Sequence, residues 1–401
     1  KVFANLIRPA VTALEPRTED EHAVRVWSRQ ETRDAQCWAV LSVEDITVEL
    51  RVAQGDRIEV LQNVGFSIEP GRILGLIGES GAGKSMIGRA ITGSLPPRFS
   101  ISSGRISFLG QDITTMTAQQ RHSLLGKDIS FIPQDPQSAL NPVMSIGAHI
   151  REHLVRLGRG GRGWREEAEQ MLGSVQIVEP GMVLRKFAHE LSGGMCQRIL
   201  IAMAFAARPS LLIADEATTA LDPITQANVV RLLKGLQRDH GTAVIFVTHD
   251  LRLASHVCDD VMVLFGGQPL EFGNGRTVIA HPAHPYTLSL KRSIPSLDGT
   301  LTRLPDLPDW MPSLGTFRQI RGCRYAPRSQ LSDPSYTQEN APRREVGANH
   351  WVRWADEGLS GTGADNVEPL RRFQLAAEGQ QMPAATYWIL QALGGEQAHG
   401  R

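Results

Sequence analysis

The amino-acid sequence predicts an α/β fold in which helices wrap a parallel β-sheet. Short apolar runs recur along the chain, with helix-like segments between them, at residues 73–77, 129–132, 211–214, 244–247 and 261–264. Strands buried on both faces have this composition, and parallel neighbours are usually joined by a helix. The first run leads through glycines into a helical stretch from Lys84 to Thr92, which is the strand, loop and helix order of an α/β unit.

The sheet is preceded by a polar segment and then by two strand-like segments. Residues 1–38 mix both charges and show no sustained period, so we expect a loosely ordered N-terminal extension. From Leu41, the stretches LSVEDITVELRV and VLQNVGFSIE alternate apolar and polar residues as half-buried strands do. A main domain with a β-rich start is therefore predicted over residues 39–292.

Two further regions depart from the strand and helix alternation. Residues 146–178 have a helical pattern around a glycine-rich interruption, and we place an inserted helical subdomain at about 135–205. After residue 293 the composition becomes proline-rich, which predicts a small irregular C-terminal extension over 293–354. Residues 355–401 contain one helix-like stretch near 384–393, and their role stays open.

Composition is that of an ordinary globular protein, with 41% hydrophobic and 21% charged residues among 401. The 42 basic and 42 acidic residues cancel, so net charge favours neither nucleic acid nor an anionic membrane as the main partner. The four cysteines show no CxxC spacing, which argues against a zinc site and fits a reducing compartment. The longest apolar run, 199–207, is far shorter than the roughly 20 residues that span a bilayer.

A phosphate-binding loop is the first motif with chemical content. The string GESGAGKS fits the pattern G-x-x-x-x-G-K-[ST] between a predicted strand and helix. Its glycines let backbone N–H groups point at phosphate oxygens, the lysine neutralises phosphate charge, and the final serine hydroxyl is a ligand for Mg²⁺. The candidate nucleotide-binding residues here are Gly78, Glu79, Ser80, Gly81, Ala82, Gly83, Lys84 and Ser85.

Two adjacent carboxylates end a second apolar run, in the string LLIADEATTALD. Such a pair at a buried strand end is costly without a cation. Asp215 is placed to hold Mg²⁺, and Glu216 is placed to take a proton from an attacking water.

The string LSGGMCQR forms a second candidate anion site. Ser192, Gly193 and Gly194 open a strongly helical run, and a serine N-cap followed by glycines leaves the helix N-terminus free of bulky side chains. One chain therefore carries two helix starts suited to phosphate.

Along the chain the strings occur in the order GESGAGKS, FIPQDP, LSGGMCQR, LLIADEATTALD and VTHD. This order is typical of ABC ATPases, which the chain resembles. The resemblance implies a P-loop NTPase fold of the ABC type, with an antiparallel β subdomain and a helical subdomain. It implies ATP and Mg²⁺ as cofactors and ATP hydrolysis as the activity.

The resemblance also assigns roles to single residues. Gln134 is similar to the glutamine that senses the γ-phosphate through magnesium, and His249 to the histidine that stabilises the transition state and orients Glu216. Asp222 is similar to the aspartate that crosses the dimer interface, and Gln197 belongs to the signature segment. Members of the family pair head to tail, so the phosphate loop of one subunit faces the signature segment of the other.

Finer similarity points to the peptide and nickel importer branch. It rests on FAHELSGGMCQR, ADEATTALD and HPAHPYT. The implied partners are a second ATPase subunit, two membrane-spanning permeases and an extracytoplasmic solute-binding protein. The second ATPase subunit is expected to be unlike this one, because the segment DPQSALNPVMSIG is similar to the first of the two unlike ATPase subunits in these importers. No nucleic acid is implied. The implied location is peripheral, on the cytoplasmic face of a bacterial plasma membrane.

One family feature is expected to be absent. The C-terminal extension in this branch often carries four cysteines that hold an iron–sulfur cluster, but here only Cys323 remains, with Ser329, Tyr336 and Trp354 at the other positions. One cysteine cannot hold a cluster, so none is predicted and Cys323 is expected to be a packed thiol.

Two alternatives stay open. A soluble ABC ATPase acting on nucleic acid or ribosomes usually has two cassettes or a long coiled-coil insertion, and this sequence has neither. A P-loop kinase or GTPase would lack the LSGG segment, and a GTPase would carry an NKxD motif, which is absent here.

Overall fold

The computed structural model describes residues 39–52, 55–218, 221–293, 314–317, 320–329 and 343–354. The predicted N-terminal extension, the tail from residue 355 and most of 294–342 lie outside the described residues. The strands are β1 Leu41–Arg51, β2 Arg57–Ile68, β3 Ile73–Ile77, β4 Phe99–Phe108, β5 Gln111–Asp112, β6 Ile129–Ile132, β7 Leu211–Asp215, β8 Ala243–Thr248, β9 Asp260–Phe265, β10 Gln268–Asn274, β11 Arg343–Gly347 and β12 His350–Arg353.

The α-helices are α1 Lys84–Thr92, α2 Ala118–Leu124, α3 Pro136–Ala139, α4 Ile146–Arg156, α5 Trp164–Ser174, α6 Pro180–Val183, α7 Gly193–Phe205, α8 Pro223–His240, α9 Leu251–Val257, α10 Gly275–Ala280, α11 Pro285–Arg292 and α12 Leu314–Phe317. Five of them, α3 to α7, follow one another between β6 and β7, in the region where the helical pattern was found. Among the residues described, no helix is long and apolar enough to cross a membrane.

An eight-stranded sheet forms the centre of the fold, in the order β11-β12-β10-β9-β3-β8-β7-β6. The five strands from β9 to β6 are parallel neighbours, which confirms the predicted α/β class. Every residue of β3, β7, β8 and β9 is buried, because the sheet is covered on both faces.

A separate four-stranded antiparallel sheet, in the order β2-β1-β4-β5, covers one face of the central sheet. Side-chain alternation along β3 divides the core into two layers. Leu74 and Leu76 belong to the cluster shared with the antiparallel sheet and α1, whereas Ile73 and Ile77 belong to the cluster shared with the helices of the other face. The phosphate loop leaves β3 between these layers.

The C-terminal extension contains more regular structure than the expected irregular chain. β12 pairs antiparallel with β10, with Glu271 opposite Val352 and Phe272 opposite Trp351, and β11 completes a hairpin at the sheet edge. These strands are short, and their pairing is with a strand about 80 positions earlier. Such non-local pairing leaves little trace in the local sequence pattern.

Candidate functional site

The phosphate loop connects β3 to α1 and folds over its own lysine. The Nζ of Lys84 donates hydrogen bonds to the carbonyl oxygens of Gly78 at 2.8 Å and Glu79 at 2.9 Å. Gly83, the N-cap of α1, has a φ of 96°, and a Cβ there would lie 2.7 Å from a methyl carbon of Leu61. Only glycine fits this turn without strain, and the turn leaves the N-terminus of α1 free of a capping side chain.

Asp215 lies beside the end of the phosphate loop. The Ser85 hydroxyl donates a hydrogen bond to Oδ1 of Asp215 at 2.9 Å. Burial raises the pKa of Asp215, and the Ser85 hydrogen bond and the charge of Lys84 act in the opposite direction. A hydroxyl and a buried carboxylate are the hard oxygen ligands that Mg²⁺ prefers, so these residues fit the Mg²⁺ that the family resemblance implies.

Glu216, the residue after β7, is the point where the predicted catalytic groups meet. Its carboxylate accepts a hydrogen bond from Nε2 of Gln134 at 2.9 Å and lies 3.7 Å from Nδ1 of His249. Lys84 lies 3.5 Å away on the same carboxylate. Gln134 follows β6 and His249 follows β8, so three strands that are neighbours in the sheet deliver these side chains to one edge.

Burial and the neighbouring carboxylates act in opposite directions on the pKa of Lys84 in this cluster. Burial lowers the pKa of Lys84, while Glu216 favours the charged ammonium. Glu216 itself has a φ of 45°, in the left-handed region that non-glycine residues seldom adopt. Such strain costs on the order of 1 kcal/mol or more and is typical of residues held in place for function.

The signature segment lies on a different surface. Ser192 caps α7 by accepting a hydrogen bond from the backbone N–H of Met195 at 3.3 Å, and Asp222 caps α8 by accepting from Ile224 and Thr225. Both caps line a cavity of about 430 Å³ that also includes Gly193 and Gly194. None of the residues 78–85 lines this cavity, so the described part of the chain presents the two predicted phosphate sites separately.

Gln197 is not on this surface, and its position does not support the prediction that it binds nucleotide. It lies one helical turn after Gly193 and is fully buried in α7, whereas Ser192 is exposed. Neither polar atom of its amide has a hydrogen-bond partner among the described residues. Its place in the signature string does not bring its side chain to the surface, because the helical turn directs it into the core.

Two residues that sequence reasoning did not select also contact the phosphate loop. Tyr286 accepts a hydrogen bond from the backbone N–H of Glu79 to its hydroxyl at 2.9 Å, and Arg328 donates to the Glu79 carboxylate at 2.6 Å. Tyr286 belongs to the HPYT string, and Arg328 follows Cys323 by five residues in the C-terminal extension. Their contact with the loop required the tertiary structure.

The predicted packing of Cys323 is confirmed. It is fully buried, its Sγ lies 3.6 Å from Nε2 of His284, and burial raises its pKa to about 12. Trp354 stacks edge-on against the same histidine, with ring centroids 4.9 Å apart. The absence of an iron–sulfur cluster stays a prediction.

Comparison with known proteins gives the family. The sequence model of the ABC transporter family matches residues 61–219, and that of the oligopeptide/dipeptide transporter C-terminal region matches 270–335. The oligopeptide transport ATP-binding protein OppD of Escherichia coli is 38% identical over 294 residues, which cover 73% of this chain and 86% of that protein. The dipeptide transport ATP-binding protein DppD of Bacillus subtilis is 38% identical over 72% of this chain and 86% of its own length.

This chain belongs to the ABC transporter family.

Solved structures of ABC cassettes agree with this assignment. The post-hydrolysis dimer of the ATP-binding cassette MJ0796, bound to ADP and Pi, superposes with a TM-score of 0.53 and 25% identity over 59% of this chain and 99% of that chain. CbiO1 of Clostridium perfringens, part of an ABC transporter complex, gives 0.51 and 26% over 61% and 92%. The chain is an ATPase of the ABC type, and these matches give no support to the nucleic-acid alternative.

Proposed function

We propose that this ABC ATPase drives the import of peptides, or of a related small solute such as nickel. The relatives named for oligopeptide and dipeptide transport support this substrate class, as does the match of the C-terminal region. The observation that carries the ATP-hydrolysis step of this proposal is the meeting of Lys84, Gln134 and His249 around the carboxylate of Glu216, beside the Ser85 and Asp215 pair.

Each group has a distinct task in the proposed reaction. The backbone N–H groups of the phosphate loop and the ammonium of Lys84 bind the phosphates of ATP. Mg²⁺, which we assign to Ser85, Gln134 and Asp215, would neutralise charge on the phosphate oxygens. Glu216 accepts the proton of the attacking water, and His249 orients that carboxylate.

The separation of the two phosphate sites supports a shared catalytic centre. We infer that Ser192, Gly193 and Gly194 of a second ATPase subunit close onto the nucleotide held by residues 78–85, with Asp222 at the interface. This closure would complete the electrostatic stabilisation of a reaction that depends mainly on positioning. The dimeric form of the similar MJ0796 cassette supports the pairing.

The proposed assembly contains an unlike second ATPase subunit, two permeases and an extracytoplasmic solute-binding protein. Residues 39–292 are its ATPase domain, the helical subdomain at about 135–205 faces the permeases near Gln134, and 293–354 is the extension. We place the chain peripherally on the cytoplasmic face of a bacterial plasma membrane. The names of the relatives as subunits of transport systems support this arrangement.

Hydrolysis by the assembled complex tests the catalytic assignment. Glu216→Gln removes the base but keeps the size of the side chain, and we expect turnover to fall about 10²- to 10⁴-fold. Glu345→Gln, on an exposed strand of the extension, is the control and should hydrolyse ATP normally. Near-normal hydrolysis by Glu216→Gln would remove this residue from the mechanism.

Partner capture tests the transport assignment. The tagged chain, isolated from a detergent extract of its source cells, should bring down polytopic membrane subunits and a second ATPase. Recovery of ribosomes or DNA in their place would favour the soluble ABC ATPase.

A further inference from the structure

Arg328 of the C-terminal extension and Tyr286 of α11 contact the phosphate loop at Glu79. Residue Glu79 of the loop is held at three atoms. Its carboxylate pairs with Arg328, its N–H donates to the Tyr286 hydroxyl, and its carbonyl oxygen accepts from Lys84. Rotation of the Gly78–Glu79 peptide would break its hydrogen bonds with Tyr286 and Lys84.

The side chains of Arg328 and Tyr286 are held in place by packing in the protein core. Arg328 is only 7% exposed, and its guanidinium lies 5.7 Å from the centroid of Phe265, at the end of β9. The rings of Phe265, Tyr286 and Tyr325 contact one another with centroids 5.0 to 5.3 Å apart. This packing fixes the position of the guanidinium, since an arginine side chain that is already ordered loses little entropy in forming an ion pair.

The ion pair also removes an electrostatic conflict. Glu79 is an acidic residue in a loop that binds anions, and its charge is close enough to favour the charged form of Lys84. An unpaired carboxylate there would repel phosphate and compete for the lysine ammonium. Arg328 neutralises this charge. The side chain of Glu79 is 25% exposed and therefore largely withdrawn from water.

We propose that Arg328 and Tyr286 are positioning residues for the nucleotide site, through which docking of the 320–329 segment sets the affinity of the phosphate loop for nucleotide phosphates. The inference rests on the proposed function of that loop. It concerns binding by a single chain and does not depend on the transported solute or on dimer closure.

Binding of MgADP to the isolated full-length chain, measured by titration calorimetry, tests the inference. We expect Arg328→Met to weaken binding about 10-fold, because the Glu79 carboxylate, left without its partner, would repel the nucleotide phosphates and compete for Lys84. Glu79→Gln should weaken it less. The double variant should bind about as tightly as Glu79→Gln alone, because the repelling carboxylate has then been removed together with its partner.

A matched control separates positioning from stability. Arg324, in the same segment, is also buried, but it donates to the carbonyl oxygens of Gly266 and Glu59 and not to a residue of the phosphate loop. Arg324→Met should lower the melting temperature while the folded protein keeps its MgADP affinity. Tyr286→Phe, which deletes one hydroxyl, is a milder second probe and should weaken MgADP binding about threefold or more.

The outcomes distinguish this inference from the proposed function. Unchanged MgADP affinity in Arg328→Met, or in Tyr286→Phe should the first variant not fold, would overturn the positioning role. A double variant weaker than either single variant would overturn the neutralisation argument. A wild-type chain that binds no MgADP would instead refute the proposed function of the phosphate loop.

Discussion

Replacement of Glu271 by alanine should cost this protein a large part of its stability. Glu271 lies on β10, is fully buried, and accepts three hydrogen bonds. The donors are the backbone N–H groups of Ala283 at 2.8 Å and His284 at 3.0 Å, and Nε2 of His350 at 2.7 Å. One carboxylate thereby ties the HPYT turn and the hairpin of the extension to the central sheet.

The expected loss follows from these three contacts. A hydrogen bond to a charged group contributes about 1.5 kcal/mol or more, and the substitution leaves three donors without this acceptor, two of them buried and one partly buried. Their sum is about 4 to 5 kcal/mol, which agrees with the cost of about 3 to 5 kcal/mol for breaking a buried ionic contact by removing one partner. We expect the free energy of unfolding to fall by about 4 kcal/mol.

Urea unfolding of the nucleotide-free chain, followed by tryptophan fluorescence and circular dichroism, measures this change. Glu271→Gln keeps the volume and one oxygen acceptor, so its loss should be clearly smaller. Glu345→Ala, at an exposed position of β11, should change the free energy of unfolding by less than about 0.5 kcal/mol. A loss below about 1 kcal/mol in Glu271→Ala would refute the reasoning that this carboxylate holds the three elements together.

Three further predictions follow from single side chains. Burial lowers the pKa of His284 to about 3, so the unfolded chain binds the extra proton between pH 3 and the ordinary histidine range near 6.5. The free energy of unfolding should therefore fall as the pH drops from about 6.5 towards 3. In His284→Asn, whose oxygen still caps α11, the slope of this free energy against pH should be smaller by close to one proton, or about 1.4 kcal/mol per pH unit. Urea unfolding at a series of pH values measures the slope. Asp215→Asn should abolish Mg²⁺-dependent ATP hydrolysis by the complex. It should not lower the melting temperature of the metal-free chain, because burial already disfavours the ionised form of Asp215. A large loss of stability would contradict this expectation. Gln197→Leu should raise the free energy of unfolding by about 1 kcal/mol and leave MgADP affinity unchanged, since it removes a buried amide that has no hydrogen-bond partner in the described part of the chain. Weaker nucleotide binding would support a place for Gln197 in the site.

Much of the site was predictable because its residues occur where the chain passes from one regular element to the next. Apolar runs of four or five residues marked the buried strands, and Gln134, Glu216 and His249 each follow one of them. In a parallel sheet these ends meet at one edge, so sequence order alone predicts that the side chains converge. Gln197 shows the limit, because motif membership says nothing about which face of a helix a residue occupies.

By itself, the sequence determined the α/β class, the phosphate loop and the order of the motifs, since each of these is encoded in local periodicity or in a contiguous string. Only the tertiary structure decided that the extension adds two strands to the central sheet and that Arg328 reaches back 249 positions to Glu79. Contacts of this kind depend on packing between distant segments, and a single sequence records the residues but not their pairing. The buried arginine partner of Glu79, the acidic residue of the phosphate loop, is therefore visible only in the tertiary structure.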